Sequence, residues 1–223
     1  MKTKLALSVM FLATLFVVSC GGPQGEKAVT SDEKTAMEAK GDSFLADVDN
    51  SMIEWIGTKP TGQHNGVISL AKGYVSVENG KITGGEMIID MSSIVNHDLT
   101  DSETNANLVG HLLSPDFFDV ENYPEARFEF TSVSENEGVQ TGENAFTHFV
   151  SGNLTMKDAT RNVAFPVNIE IRDGVVKAVT DNFIIDRSEW NVKYGSRKFF
   201  DNLKDNFIHD EISLKISFVG LKG

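Results

Sequence analysis

The sequence predicts an all-β domain, an eight-stranded antiparallel barrel carrying one or two short helices. Three observations predict it. Period-two alternation is clearest over Val163–Arg172 and Ile212–Phe218, the mark of strands with one dry and one wet face. The turn dipeptides Asn79-Gly80, Glu137-Gly138 and Asp173-Gly174 punctuate the chain between apolar runs. Helical character is confined to short segments. Eight strands with so little helix suit a closed barrel, because closure leaves no exposed edge. A sandwich of two sheets is the competing architecture.

The strands are placed at Met52–Thr58, Gly66–Val77, Lys81–Met91, Glu125–Val133, Ala145–Met156, Asn162–Arg172, Val175–Ile185 and Glu211–Val219. In the fourth, Ala126, Phe128 and Phe130 share one face, and Arg127, Glu129 and Thr131 the other. In the sixth, Val163, Phe165, Val167, Ile169 and Ile171 oppose Ala164, Pro166, Asn168, Glu170 and Arg172. The last sets Ile212, Leu214, Ile216 and Phe218 against Ser213, Lys215 and Ser217. A helix is expected over Thr104–Leu113. Ser114-Pro115-Asp116 reads as a further helix start, with a hydroxyl cap, a proline at the first position and an acid in the first turn. Only a short turn can follow, since Pro124 pushes Tyr123 out of helical geometry.

The first residues carry a different signal. Lys2 and Lys4 precede an apolar run from Leu5 to Val18, too short to span a bilayer comfortably, where about 20 residues are needed. A basic start, an apolar core and small residues at the end describe a secretion signal over residues 1–19. The run ends at Ser19-Cys20 and resembles a bacterial lipobox, which implies cleavage before Cys20 and attachment of lipid to it. Cys20 is the only cysteine, so no internal disulfide can form. Residues 20–46 are rich in glycine, charge and small residues and read as a flexible tether, with a short helix at Asp32–Lys40. Residues 47–223 form the folded domain, long enough for one sizeable core.

The formal charge of −12 becomes −14 once Lys2 and Lys4 leave with residues 1–19. So acidic a body argues against nucleic acid as a partner. Chemistry is hard to find. There is no Gly-x-Ser-x-Gly elbow, no His-Glu-x-x-His pair and no Cys-x-x-Cys pair. His64, His97, His111, His148 and His209 are scattered without short ligand spacing. His111 and Ser114 could meet across one turn, but no third group is evident to orient a base. Asp116, Asp119, Glu121 and Glu125 fit helix-start and surface roles. The chain is therefore not expected to be an enzyme, nor to need a metal or cofactor.

What remains is the barrel interior, which in eight strands is either filled by side chains or holds one slender ligand. Gly66, Ala71, Gly73, Gly84, Gly85 and Gly152, all within strands, either leave volume inside or mark bulges and bends. Candidate lining residues are Trp55, Phe128, Phe130, Val163, Phe165, Val167, Ile169, Leu214, Ile216 and Phe218. So apolar a wall calls for a long apolar chain. Each five-carbon isoprene unit gains on the order of 3 kcal/mol on leaving water, before ordering costs. From Arg187 to Lys204 there are five basic and two acidic residues, with Tyr194, Phe199 and Phe200 interleaved. This basic–aromatic loop is expected at the barrel rim, where His64, Arg187, Lys193, Arg197 and Lys198 could touch anionic headgroups or the polar end of a ligand.

Several runs carry a family resemblance. They are the His111–Phe130 stretch (HLLSPDFFDVENYPEARFEF), Ile53-Glu54-Trp55, His64-Asn65-Gly66, and Gly84-Gly85 with Ile89–Ile94. Gly152–Met156 with Thr160 and Val163, and Ile185–Trp190, complete the set. Together they resemble the YceI family of bacterial proteins across Asp47–Phe218. The resemblance implies a lipocalin-like barrel holding an isoprenoid or other long-chain lipid, such as a polyprenyl quinone. It also implies a place in the cell envelope, lipid-anchored, with the outer membrane facing the periplasm as the expected site. A filled barrel with a structural or stress-protective role is the alternative, and a homodimer is compatible with the sequence. The loop 191–206 departs from the family, which commonly has a short Gly-rich link there.

Overall fold

The computed structural model describes residues 22–138 and 145–223. The secretion signal and Cys20 lie outside them. Three short strands come first: β1 (Glu26–Lys27), β2 (Val29–Ser31) and β3 (Asp42–Ala46). The main strands are β4 (Met52–Lys59), β5 (Gly62–Glu78), β6 (Lys81–Asp90), β8 (Glu125–Glu135), β9 (His148–Met156), β10 (Ala159–Arg172), β11 (Val175–Val179) and β13 (Glu211–Lys222). A two-residue β7 (Val95–Asn96), helix α1 (Ser102–Leu113) and a short β12 (Phe183–Asp186) complete the set.

The eight main strands pair antiparallel in the ring β4–β5–β6–β8–β9–β10–β11–β13, and β13 returns to β4. The fold is thus a closed barrel and not a sandwich. Its hairpins use the expected chemistry: Asn79 and Gly80, and Asp173 and Gly174, all take positive φ, which twists each turn to match its strands. The inward faces are the alternating apolar sets. Val163, Phe165 and Val167 of β10, Ala126 and Phe130 of β8 and Phe218 of β13 are buried in one core.

Four expectations need correction. Ser114-Pro115-Asp116 does not open a helix. Ser114 is the residue that closes α1, held extended at ψ 166° by the proline after it, and Asp101 makes the helix start by accepting from the Thr104 N–H at 2.9 Å. Beyond Ser114 the chain turns back, with the Phe117 and Asp119 N–H groups donating to the Ser114 carbonyl at 3.0 and 2.8 Å. The strand expected over Val175–Ile185 is two, because Thr180–Asn182 leaves the ladder, and the strand expected from Ala145 begins at His148.

The largest correction concerns residues 22–46. They do not form a loose tether, and Asp32–Lys40 is not a helix. They wrap the outside of the barrel as an extended strap that ends in β3, so the folded unit begins before Asp47. β1 pairs parallel with β12 and β2 pairs antiparallel with β10 at Asn162–Ala164. The strap therefore fills the seam left where β11 breaks off. It then crosses β9, β8 and β6: Lys34 exchanges two bonds with the Asn153 amide, the Met37 N–H donates to the Phe130 carbonyl, and Lys40 meets Thr83 Oγ1 at both its N–H and its carbonyl. Beneath it, on the outer face of the barrel, the Asn162 side chain accepts from Ser151 Oγ at 2.7 Å and donates to Thr131 Oγ1 at 2.8 Å and Asn153 Oδ1 at 3.1 Å. An amide on an outer wall is dry here only because the strap covers it. Asn162→Ala, which strands these partners, should lower stability by about 1–3 kcal/mol in urea unfolding. An effect below about 0.5 kcal/mol, the range of ordinary surface changes, would show that the strap does not seal that face.

Candidate functional site

The barrel interior holds two compartments. The inner one, about 130 Å³, is walled by apolar atoms, among them Phe128, Phe130, Val163, Phe165, Val167, Ile169, Ile216 and Phe218. The outer one, about 400 Å³, lies at the end of the barrel formed by the last turn of β4, the start of β5 and the start of β13, and has Trp55 and Leu214 in its wall. Ile53, Ile89, Leu154 and Ile185 line both and form a waist between them. All ten candidate lining residues thus border one compartment or the other. The waist was not singled out by the sequence, although Ile53 sits two positions from Trp55 and Leu154 two from Gly152 on their strands.

The strand glycines explain how this interior fits together. Gly152 leaves no void: a Cβ there would lie 2.2 Å from Phe128 Cζ, so the glycine makes room for the ring laid across it. Gly66 is required where β7 crosses, because a Cβ would lie 1.8 Å from the Val95 carbonyl oxygen and 2.9 Å from the Trp55 ring.

The mouth is built by the loop after β12. Tyr194, Asp205, Asn206, Ile208 and His209 border the outer compartment, facing Leu108, His111, Leu112, Phe117 and Phe118 from α1 and its turn. Arg187 pins this loop. It is fully buried, and its guanidinium donates to the carbonyls of Val192 at 2.7 Å, His209 at 3.2 Å and Ile208 at 3.3 Å. It also lies 3.4 Å from the Asp210 carboxylate and 5.3 Å from the centre of the Phe117 ring. Burial pushes its pKa down, opposed by Asp210 and Asp186. Arg187 therefore spans both ends of the loop and touches the helix turn, with three of its five donors taken by backbone.

The other rim candidates divide. Lys198 is paired with Asp186 and donates to Ser188 Oγ at 3.0 Å. Arg197 stacks 3.5 Å over the Phe207 ring, and Lys193 lies 5.0 Å from the centre of the Phe199 ring. Phe199 and Phe200 project into solvent. His64 lines the outer compartment, and its Nδ1 lies 2.8 Å from Asp98 Oδ2. Asp98 is itself fixed, accepting from the Asn65 N–H at 2.9 Å and from Asn96 Nδ2 at 2.5 Å. Burial alone would raise the Asp98 pKa, but bonds from the Asn65 N–H, His64 and Asn96 outweigh it and hold the pKa at about 2. Asp98 was missed by the sequence reading, since nothing local marks an aspartate 34 positions away as the partner of His64.

His111 and Ser114 do not meet as a pair. Ser114 Oγ donates to the backbone carbonyl of His111 at 2.8 Å, and the His111 ring packs edge-on against Phe117 and Tyr194. Among the described residues no group of three or more His, Cys, Asp or Glu is arranged to hold a metal ion.

An eight-stranded antiparallel barrel around an apolar interior defines the lipocalin-like class of folds. Within it, this chain belongs to the YceI-like domain family, which matches residues 44–220. Among solved structures it is similar to BcnA of Burkholderia cenocepacia, at 23% identity and TM-score 0.56, over 78% of this chain and 98% of that one. It is also similar to a polyisoprenoid binding domain from Saccharophagus degradans implicated in plant cell wall breakdown, at 14% identity and TM-score 0.59, over 82% of this chain and 100% of that one. At these identities the likeness is one of fold. No curated protein sequence matches the chain. The strap from Gly22 to Gly41 lies outside the matched domain.

Two measurements follow from the mouth. Arg187→Met removes the cation facing Asp210, whose carboxylate keeps only Ser196 Oγ, and leaves three loop carbonyls without a partner. It should cost about 3–5 kcal/mol in urea unfolding, whereas Lys198→Gln, at an exposed pair, should cost under about 1 kcal/mol. The depressed carboxylate of Asp98 contributes stability above its ordinary range and loses it as pH falls toward 2. The stability gap between the wild type and Asp98→Asn should therefore narrow as pH is lowered from about 4 to about 2.

Proposed function

We propose that this protein binds a long-chain isoprenoid or similar amphiphilic lipid inside its barrel and holds it at the cell envelope. The observation that carries the reading is the apolar cavity, wide at the mouth and narrow beyond the waist, which fits a chain entering end-on. A barrel serving only as structure would fill that volume, since close packing stabilises and voids cost. The Saccharophagus degradans neighbour is a polyisoprenoid binding domain, which agrees with this reading. No cofactor beyond the lipid is required, and no catalytic step is assigned.

The anchor is part of the proposal. The signal over residues 1–19 and the lone Cys20 support an acylated lipoprotein, with the outer membrane facing the periplasm as its place. The loop 191–206, with exposed Phe199 and Phe200 beside Lys193, suits contact with anionic headgroups at the mouth.

Organic extraction and mass spectrometry of protein purified from its own host, without added lipid, test the reading. A stoichiometric prenyl lipid is expected; an empty extract from folded protein would return the barrel to a structural role. Val167→Glu places a charge on the wall of the inner compartment and should abolish binding. Ala178→Phe, a milder change on the same wall, should shift the bound species to shorter chains. Replacing Lys193, Arg197, Lys198 and Lys204 with Gln should weaken binding to anionic liposomes; undiminished binding would remove the loop from the proposal.

A further inference from the structure

The proposed lipid has a polar end, and the geometry at the mouth says which kind. Lys59, Thr61, Tyr194, Asp205, Asn206 and His209 border the outer compartment, but no hydrogen bond within the described residues fixes the orientation of their side-chain polar atoms. Arg187, which also borders the compartment, spends three of its five N–H donors on the loop backbone and lies against Asp210. Trp55 Nε1 and Thr58 Oγ1 have no partner among the described residues, but both atoms are closed over by protein and do not reach the cavity surface. His64 differs. It lies on the inward face of β5, opposite Gly57, where a Cβ would meet nothing within 4 Å, so the space beside the imidazole is open. Its Nδ1 is engaged by Asp98, and Nε2 has no protein partner among the described residues.

The proton on His64 can be placed from its neighbours. Asn96 is fixed in orientation: its Oδ1 accepts from the Leu99 N–H at 3.0 Å, so its Nδ2 faces Asp98. Asp98 Oδ1 therefore accepts two donors, the Asn65 N–H and Asn96 Nδ2, while Oδ2 is left for His64. An ionised carboxylate accepts only, so neutral His64 must carry its proton on Nδ1 and present a bare lone pair at Nε2. We infer that the outer compartment selects lipids whose polar end is a hydroxyl that donates to His64 Nε2: a long-chain alcohol, phenol or quinol, in preference to a quinone, ester or ether of the same chain. This inference rests on the lipid-binding reading and narrows it to a head-group class.

Asp98 is the positioning residue, and its isostere reverses the logic. In Asp98→Asn the amide oxygen must stay at the Oδ1 position, where two donors converge. The NH2 then faces His64 Nδ1 and forces the imidazole proton onto Nε2. The lone pair becomes a donor with no change of shape.

The test measures displacement of a fluorescent prenyl probe by geranylgeraniol and by its methyl ether. The two ligands share the same chain, but only the alcohol donates. Wild type should prefer the alcohol by about 2–10-fold, the yield of one net hydrogen bond. Asp98→Asn should lose or reverse that preference, and His64→Phe should bind both at the level of the ether. Nitrogen NMR of the imidazole reads the tautomer independently and should report Nδ1–H in the wild type and Nε2–H in Asp98→Asn. Equal binding of alcohol and ether by wild type would overturn the head-group inference and leave lipid binding standing. Binding of neither ligand by folded protein would overturn both. An Nε2–H tautomer in the wild type would also overturn the inference.

Discussion

The closure of β13 onto β4 is the constraint from which the other features of this molecule follow. Once eight antiparallel strands form a ring, strand number and tilt set the width of the interior, and side chains can only divide the space that the backbone encloses. Here they divide it unevenly. Phenylalanines from β8, β10, β12 and β13 crowd the inner half, with Phe165 and Phe183 stacked at 4.5 Å between ring centres, while the mouth half mixes aliphatic groups with Trp55, Phe117, Phe118 and Tyr194 around a larger space. Glycine at position 152 lets an aromatic ring lie across the neighbouring strand, so the tight half packs without pushing the ring apart.

Closure leaves the mouth as the place where the chain must supply order by other means. The loop after β12 has no ladder to join, and a buried guanidinium takes that role by gathering carbonyls from both of its ends. Replacing such a group by an apolar one is often neutral where the partners can be repacked, but backbone carbonyls cannot be exchanged. The arginine belongs to the architecture of the opening, although its sequence position first suggested ligand contact. His64 makes the complementary case: it looked like one more rim residue, and the aspartate behind it turns it into a group of defined hydrogen-bond character.

Much of this was legible in the sequence for a simple reason. Period-two alternation records burial directly, so β8, β10 and β13 could be oriented residue by residue, and Asn-Gly and Asp-Gly turns announce their own twist. What failed was whatever depended on distant partners. Ser114-Pro115-Asp116 satisfies the local rules for a helix start, yet the helix ends there, since Pro115 acts on the residue before it. The strap is polar and rich in small residues because it lies on the barrel wall with one side to solvent, a pattern that composition cannot separate from a free tether. The pairing of His64 with Asp98 was invisible for the same reason.

The strap also sets a distance. Ser213 Oγ donates to the carbonyl of Gln24 at 2.8 Å, so the chain is already fastened to the barrel flank four positions after Cys20. Fully extended, four residues reach roughly 14 Å. An acyl group on Cys20 would therefore hold the barrel hard against its own bilayer, with no slack to swing across an aqueous gap. Such a protein is a moored station: cargo must travel to it through the membrane or be collected from it by a visitor, and exchange is governed by encounters at the surface rather than by the length of a leash.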